Sequence, residues 1–193
     1  MRRLLCIFVL AINAWSSNAH AQGLALNVDA GYARLLNIDN GNGVALNVYG
    51  GYEFASGIAL ELQVGFDYFF GERKLYEDYE VREAFSVLVV PLMPGVRFTP
   101  NLGVPVKPFL AAHVGPAFFE GTYRNEDAPP GDDSDVRVRT ATVWGFNVGA
   151  GAQYLLTESM AVGFSAWWNM FLVVGELEAV KVINASLSFS ARF

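Results

Sequence analysis

The sequence is poor in cysteine and contains no long hydrophobic run. Its one cysteine, Cys6, lies near the N-terminus, so the rest of the chain cannot form an internal disulfide bond. Beyond the N-terminal residues, the longest apolar stretch, residues 87–96, is interrupted by Pro91 and Pro94 and is far shorter than the roughly 18 residues of a membrane-spanning helix. Basic residues are also few: 13 Lys and Arg stand against 19 Asp and Glu, and the net charge of −6 argues against nucleic-acid binding.

The N-terminal residues show the three-part pattern of a secretory signal. A basic start is followed by a mostly apolar stretch over residues 4–15 and by an Ala-x-Ala site at residues 19–21. This pattern predicts a signal peptide that is cleaved after its last alanine. An uncleaved membrane helix is the alternative, but the apolar part is short for it. The predicted organisation is a cleaved signal peptide, residues 1–21, followed by a single domain, residues 22–193.

The remaining chain is rich in apolar residues that alternate with polar or small ones. Hydrophobic residues make up 53% of the sequence, and the mean hydropathy is +0.29. Alternation with a period of two predicts strands that have one apolar and one polar face. Eight segments show it: residues 24–35, 44–54, 58–70, 84–98, 108–119, 143–155, 161–172 and 183–193.

The fourth segment breaks this regularity. Phe85, Val87 and Val89 follow one phase, whereas Val96 and Phe98 follow the other. The change falls near two prolines, which cannot donate to a strand ladder. Since one extra residue shifts the phase by one, we expect a bulge or kink there.

The connections alternate between short and long. Residues 55–57, 99–104 and 157–159 are short, whereas residues 37–43, 71–82, 123–140 and 174–180 are longer. An even number of strands with short turns on the periplasmic side is typical of bacterial outer-membrane barrels. Aromatic residues mark the two expected membrane boundaries: Tyr52, Phe54, Phe98, Tyr154 and Phe193 at one rim, and Tyr68, Phe70, Phe85, Phe118 and Trp144 at the other. We predict an all-β fold, an eight-stranded antiparallel transmembrane up-and-down β-barrel. A soluble barrel is the alternative, but the small residues of the polar face suit a narrow lumen better than a solvent face.

The motifs of this chain resemble those of the small OmpA/OmpX-like outer-membrane barrels. Residues 144–154 read WGFNVGAGAQY and continue as LLTES, residues 108–115 read PFLAAHVG, and the sequence ends in Phe193. The resemblance implies location in the bacterial outer membrane, contact with its lipid and lipopolysaccharide, and a monomer. It also implies insertion by the outer-membrane assembly machinery, with Phe189 and Phe193 as the assembly signal.

Several charged residues fall on the predicted inward face. They are Asp29, Glu53, Glu61, Asp67, Arg97, Lys107, His113 and Arg192. Charges in so narrow a space must pair or meet water, because an unpaired buried charge is costly. We interpret them as a lumen charge network that plugs the barrel, with Arg192 near Asp29 or Glu53. A gated or proton-conducting path is the alternative.

The sequence offers little that could catalyse a reaction. The lipid A deacylase pattern has a serine two residues after a histidine, but His113 is followed by Val114 and Gly115. No residue that could act as a general base is evident within reach of a candidate catalytic nucleophile. We therefore predict no catalytic, cofactor-binding or metal-binding residues.

Two long connections are acidic. Glu72, Glu77, Asp78 and Glu80 lie in one, and Glu126, Asp127, Asp132, Asp133 and Asp135 lie in the other. Their carboxylates suit Ca²⁺ or Mg²⁺, although the spacing does not match the EF-hand pattern. The favoured role is structural, or interaction with an extracellular ligand through these loops. A small porin-like pore or transporter for small or apolar solutes is the first alternative, and a lipid A-modifying enzyme is the second.

Overall fold

The computed structural model describes residues 23–36, 41–74, 82–125, 136–172 and 179–193. Residues 72–74, 82–83, 123–125 and 136–137 are described by their backbone alone. The predicted signal peptide and the acidic residues at 77–80 and 126–135 lie outside the described residues. No helix among the described residues is long and apolar enough to cross a membrane.

Alternating side chains form eight strands, as the sequence predicts. The strands are β1 (Gly23–Leu35), β2 (Asn42–Glu53), β3 (Ile58–Lys74), β4 (Arg82–Phe98), β5 (Val106–Asn125), β6 (Val136–Leu155), β7 (Met160–Leu172) and β8 (Val180–Arg192). They form one closed barrel in chain order, and every neighbouring pair is antiparallel. The predicted up-and-down topology is confirmed.

The first and last strands close the barrel. Pairing runs from Ala25 opposite Arg192 to Leu35 opposite Val182. The Phe193 amide also donates to the Leu24 carbonyl at 2.9 Å. We call this end, where residues 54–57, 99–105 and 156–159 connect the strands, the turn end. The opposite end, where residues 36–41, 75–81, 126–135 and 173–179 connect the strands, is the loop end.

The apolar face of each strand points out of the barrel. Leu110 and Phe164 are each 63% exposed, and Leu187 is 76% exposed. The alternating inward positions include buried Asn, Gln, Ser, Asp and Glu side chains. A water-soluble barrel would reverse this arrangement, because it buries its apolar face. The outer surface is therefore suited to lipid and not to water.

The prediction of a bulge in β4 is wrong. The pairing of β4 with β3 keeps one register from Ile58–Phe98 to Lys74–Arg82, with a gap in the paired residues near Pro91. Its pairing with β5 also resumes in the same register after a gap at residues 92–94. The prolines interrupt the ladder locally without adding a residue. What changes along β4 is the chemistry of its inward face and not the phase of its backbone.

The loop-end half of the barrel interior is apolar, which explains the misread phase. Thirteen buried side chains form this apolar layer: Ala33, Leu35, Ala45, Phe69, Phe85, Val87, Val89, Met93, Ala117, Phe119, Val143, Phe171 and Val182. Phe85 was expected in the outer aromatic rim, but it is 4% exposed and lies inside. Apolar residues thus face both lipid and lumen along β4, and periodicity alone cannot separate the two.

Strands β5 and β6 extend furthest toward the loop end beyond the segments that the sequence indicates. Strand β5 continues to Asn125 and β6 begins at Val136, so residues 123–125 and 136–140 of the predicted connection are strand. Residues 136, 138 and 140 are the β-branched Val, Val and Thr, which favour strands. This alternation does not match the pattern of the other strands, because the positions between the β-branched residues carry Arg137 and Arg139 and not small residues.

We expect the outer face to tolerate arginine poorly. Leu187→Arg places a cation on the lipid-facing wall, and the free energy of unfolding in phospholipid vesicles should fall by about 2–4 kcal/mol. Leu102→Arg is the control, because Leu102 is 57% exposed in a turn-end connection. Urea titration in vesicles measures both variants. Equal, small losses would contradict the assignment of this wall to the bilayer.

Candidate functional site in the barrel interior

A charged group lies at the centre of the lumen. Glu61 on β3 accepts a hydrogen bond from Arg97 Nε of β4 at 2.9 Å. Its other carboxylate oxygen is 2.8 Å from Nε2 of His113 on β5. All three residues are at most 6% exposed. Two donors from two strands thus compensate one buried carboxylate, which is the condition under which a buried charge is tolerated.

A chain of side-chain amides extends from this group across the lumen. His113 Nδ1 is 2.8 Å from Oδ1 of Asn147, whose amide nitrogen donates to Oε1 of Gln63. Gln63 in turn donates to Asn47 Oδ1 at 2.8 Å. The chain ends at Asp67, which accepts from Asn47 and from Asn184, each at 3.3 Å. We call Asn47, Glu61, Gln63, Asp67, Arg97, His113, Asn147 and Asn184 the interior polar cluster.

The carboxylate of Asp67 sets the direction of this chain. Oδ1 of Asp67 accepts from Asn47, so Asn47 turns its NH₂ group to Asp67 and its oxygen to Gln63. The same orientation then passes along the amides until an oxygen faces His113. Both ring nitrogens of His113 therefore lie within hydrogen-bond distance of an oxygen atom, one of Asn147 and one of Glu61. The cluster links Asp67, His113 and Glu61 in one continuous sequence of hydrogen bonds.

Aromatic rings surround the cluster on its turn-end side. Tyr49 stacks on Trp167 with a centroid separation of 5.2 Å and an interplanar angle of 14°. The guanidinium carbon of Arg97 lies 4.2 Å from the centroid of the Phe109 ring. Nη1 and Nη2 of Arg97 are buried without a hydrogen-bond acceptor among the described residues, so this cation–π contact supplies part of their compensation.

Asp29 fixes the orientation of the Trp167 ring. Oδ2 of Asp29 accepts from Ser165 Oγ at 2.7 Å and from Trp167 Nε1 at 2.9 Å. A glycine on the adjacent strand leaves the space for the ring, since a Cβ at Gly149 would lie 2.2 Å from a Trp167 ring carbon. The carboxylate and the glycine together hold the indole across the lumen.

The remaining predicted charges lie nearer the turn end. Arg192 Nε is 2.9 Å from Glu53 Oε2, and both side chains are partly exposed. Lys107 is half-buried and donates to Asn101 Oδ1 at 2.9 Å. Lys107 therefore contacts a turn-end connection and not the interior polar cluster, because it is only the second residue of β5.

Sequence reasoning did not assign a role to the neutral members of the site. The amides of Asn47, Gln63, Asn147 and Asn184 connect the charged groups, and Tyr49 and Trp167 fill the space beside them. The period-two pattern placed all of these side chains on inward faces. The hydrogen-bond partners depend on the barrel register, and Trp167 and its partner Asp29 are 138 positions apart in the sequence.

This arrangement leaves no side chain with the geometry of an activated nucleophile within the interior polar cluster. Both nitrogens of His113 are bonded to Glu61 and Asn147, and neither faces a hydroxyl group. Among the described residues, no group of three or more His, Cys, Asp or Glu side chains could hold a metal ion. The chemistry of the cluster is that of a buried, mutually compensated brace across the lumen.

The family assignment agrees with this architecture. The model of the outer membrane protein beta-barrel domain matches residues 4–193. The chain belongs to this family. The protein is therefore an integral β-barrel of the bacterial outer membrane, as the sequence predicts, and its lipid-facing wall and closed ladder are the features that this location requires.

Solved structures of similar fold have diverse roles. Neisserial surface protein A (NspA) is 16% identical with a TM-score of 0.61 over 89% of this chain and 97% of that chain. Ail, the attachment invasion locus protein of Yersinia pestis, solved with the heparin analogue sucrose octasulfate, is 14% identical with a TM-score of 0.55 over 89% and 99%. The outer membrane enzyme PagL is 18% identical with a TM-score of 0.50 over 86% and 99%. No curated protein sequence matches this chain.

We expect Glu61 to be critical for stability. Glu61→Ala leaves Arg97 and His113 buried without their shared carboxylate, and the free energy of unfolding should fall by about 3–5 kcal/mol. Glu53→Ala at the partly exposed turn end should cost less than about 1 kcal/mol. Denaturant unfolding in detergent micelles measures both. Equal losses for the two variants would show that the cluster does not brace the barrel.

Proposed function

We propose that the protein is a non-catalytic outer-membrane barrel with a closed lumen, whose role is structural or is exercised through the loop end. The observation that carries the proposal is the filling of the interior by two successive layers. The interior polar cluster and its aromatic rings lie across the middle of the barrel, and the apolar layer lies above them toward the loop end.

Side chains at both levels leave little room for solute. Tyr49, Phe69 and Phe171 are each at most 1% exposed, and Trp167 is 4% exposed. An ion that crossed the apolar layer would lose its hydration without gaining a polar partner, which is strongly unfavourable. These features support a plug and weigh against the small-pore alternative.

The loop end provides the surface for interaction. We infer that it faces the cell exterior, since short turns lie on the periplasmic side of this kind of barrel. The connecting residues 37–40, 75–81, 126–135 and 173–178 contain 11 acidic residues and no Lys or Arg. They are Asp39, Glu77, Asp78, Glu80, Glu126, Asp127, Asp132, Asp133, Asp135, Glu176 and Glu178. A basic ligand or divalent cations would suit these loops, whereas a sulfated polyanion of the kind bound to Ail would be repelled.

An enzymatic role has less support. The likeness to PagL extends to the fold, and His113 of this chain lies inside the barrel with both ring nitrogens bonded. A general base must reach the proton that it removes from substrate or nucleophile, and His113 has no such access. The lipid A-modifying alternative would need a different base.

The terminal strand supports assembly in the membrane. Phe189 points outward on β8, and Phe193 is 79% exposed beside the turn end. We infer that this aromatic, alternating strand is the segment recognised by the assembly machinery. The aromatic side chains of β8 lie on the outer wall, where a strand of the assembly machinery can contact them.

A conductance measurement tests the closed lumen. In planar bilayers the wild-type protein should give no steady current, because both layers close the path. The quadruple variant Tyr49→Ala/Trp167→Ala/Phe69→Ala/Phe171→Ala removes large rings from both layers, and we expect it to give measurable current. Heat-modifiable migration in electrophoresis verifies that the variant is folded before it is measured.

A steady wild-type current that Glu61→Gln alters would overturn this proposal in favour of the pore. The Glu61 carboxylate lies at the centre of the interior polar cluster, so a conducting path could not avoid it. Leu102→Arg is the control, because it changes a turn-end connection and leaves the lumen intact. Its current should equal that of the wild-type protein.

A further inference from the structure

An apolar groove crosses the outer wall of the barrel. Its volume is about 570 Å³, and its lining comes from β5, β6, β7, β8 and β1. The floor consists of Ala150, Ala166 and Ala185, which are successive cross-strand partners. Leu110 continues the row beyond Ala150, and Tyr32 continues it beyond Ala185. These three small side chains between Leu110 and Tyr32 thus form a depression in the outer wall.

The groove descends from the loop end toward the bilayer interior. Tyr32 is three residues from the loop end of β1, whereas Leu110 is four residues from the turn end of β5. Four interstrand spacings separate them, roughly 19 Å at about 4.8 Å each. Because barrel strands are tilted, a row perpendicular to the strands runs diagonally through the membrane. This course and length suit an extended acyl chain whose headgroup lies at the loop end.

Two cations stand at the loop-end mouth of the groove. Arg34 follows Tyr32 on the same face of β1 and is directly opposite Ile183, which lines the groove. Lys181 lies two residues from Ile183 on the same face of β8. Both side chains are exposed. Their diagonal cross-strand relation separates them by about 7–8 Å, a distance that allows both to contact one phosphate.

Several other basic residues of the domain also lie at the loop ends of strands. Backbone register places Lys74 opposite Arg82 at the loop ends of β3 and β4. Arg124, Arg137 and Arg139 lie at the loop ends of β5 and β6. The connections beyond them are acidic. The strand ends and the connections beyond them thus carry charges of opposite sign.

We propose that this groove is a binding site for lipid A of lipopolysaccharide. One acyl chain lies along Ala150, Ala166 and Ala185, and Arg34 and Lys181 bind a lipid A phosphate. Charge complementarity at the mouth selects a phosphorylated lipid, because neither cation forms an ion pair with another described residue and an apolar partner would supply no counter-ion. The assignment to lipid A depends on the outward orientation of the loop end proposed above, since that orientation places the mouth in the leaflet that contains lipopolysaccharide.

Native mass spectrometry of the protein in detergent micelles tests the site with three lipids. The probes are bis-phosphorylated lipid A, monophosphoryl lipid A and phosphatidylglycerol. The wild-type protein should retain one bis-phosphorylated lipid A in preference to the others. Arg34→Gln/Lys181→Gln should weaken retention about 30-fold, because two cations are lost. Ala185→Leu should weaken it about tenfold, because the added side chain fills the floor.

Matched controls keep the two effects separate. Arg137→Gln/Arg139→Gln removes the same charge from β6, and Ala191→Leu adds the same bulk on β8 near the turn end. Both should bind lipid A as the wild type does. Equal losses in test and control variants, equal retention of phosphatidylglycerol, or a protein dimer in place of the lipid complex would overturn the proposal. The assay uses micelles and no current, so its failure is distinguishable from the failure of the closed lumen.

Discussion

Every backbone N–H and C=O group in the hydrocarbon of a bilayer must find its partner within the protein. In this chain the pairing of β1 with β8 meets that requirement, because it removes the two free edges that the other seven pairings would leave. The pairing joins the beginning and the end of the domain, so the whole ladder depends on the most non-local contact in the fold. The amide of Phe193 extends it to the last residue.

Closure with eight strands also dictates what the interior can contain. A barrel of this size is only wide enough to be filled by its own side chains, so its inward polar groups are stabilised mainly by bonds to one another. Glu61 is compensated by Arg97 and His113, and Asp67 is reached through Asn47 and Asn184. The bonds come from six strands, and the cluster therefore ties the wall together across the lumen as the ladder ties it around the circumference.

The sequence predicted the strands well because a period of two has one physical cause, the alternation of side chains across a sheet. It failed where the outer and inner faces have the same chemistry. In β4, Val87 and Val89 face an apolar interior, so the apolar phase changed although the backbone register did not. Predictions for the site were limited in a similar way. Inward phase indicated that Glu61 and His113 lie in the lumen, but only the register between distant strands determines that they meet.

The two interior layers fill the lumen by different physical means. The interior polar cluster depends on directional bonds whose polarity is set by Asp67, so the loss of one carboxylate disturbs a whole sequence of donors and acceptors. The apolar layer depends on packing, and rings such as Phe69 and Phe171 exclude the water that would compete for those bonds. Since the apolar layer lies on the loop-end side, it shields the polar cluster from that end. In the closed barrel that we propose, the surfaces that remain accessible to other molecules are the acidic loops and the lipid-facing wall.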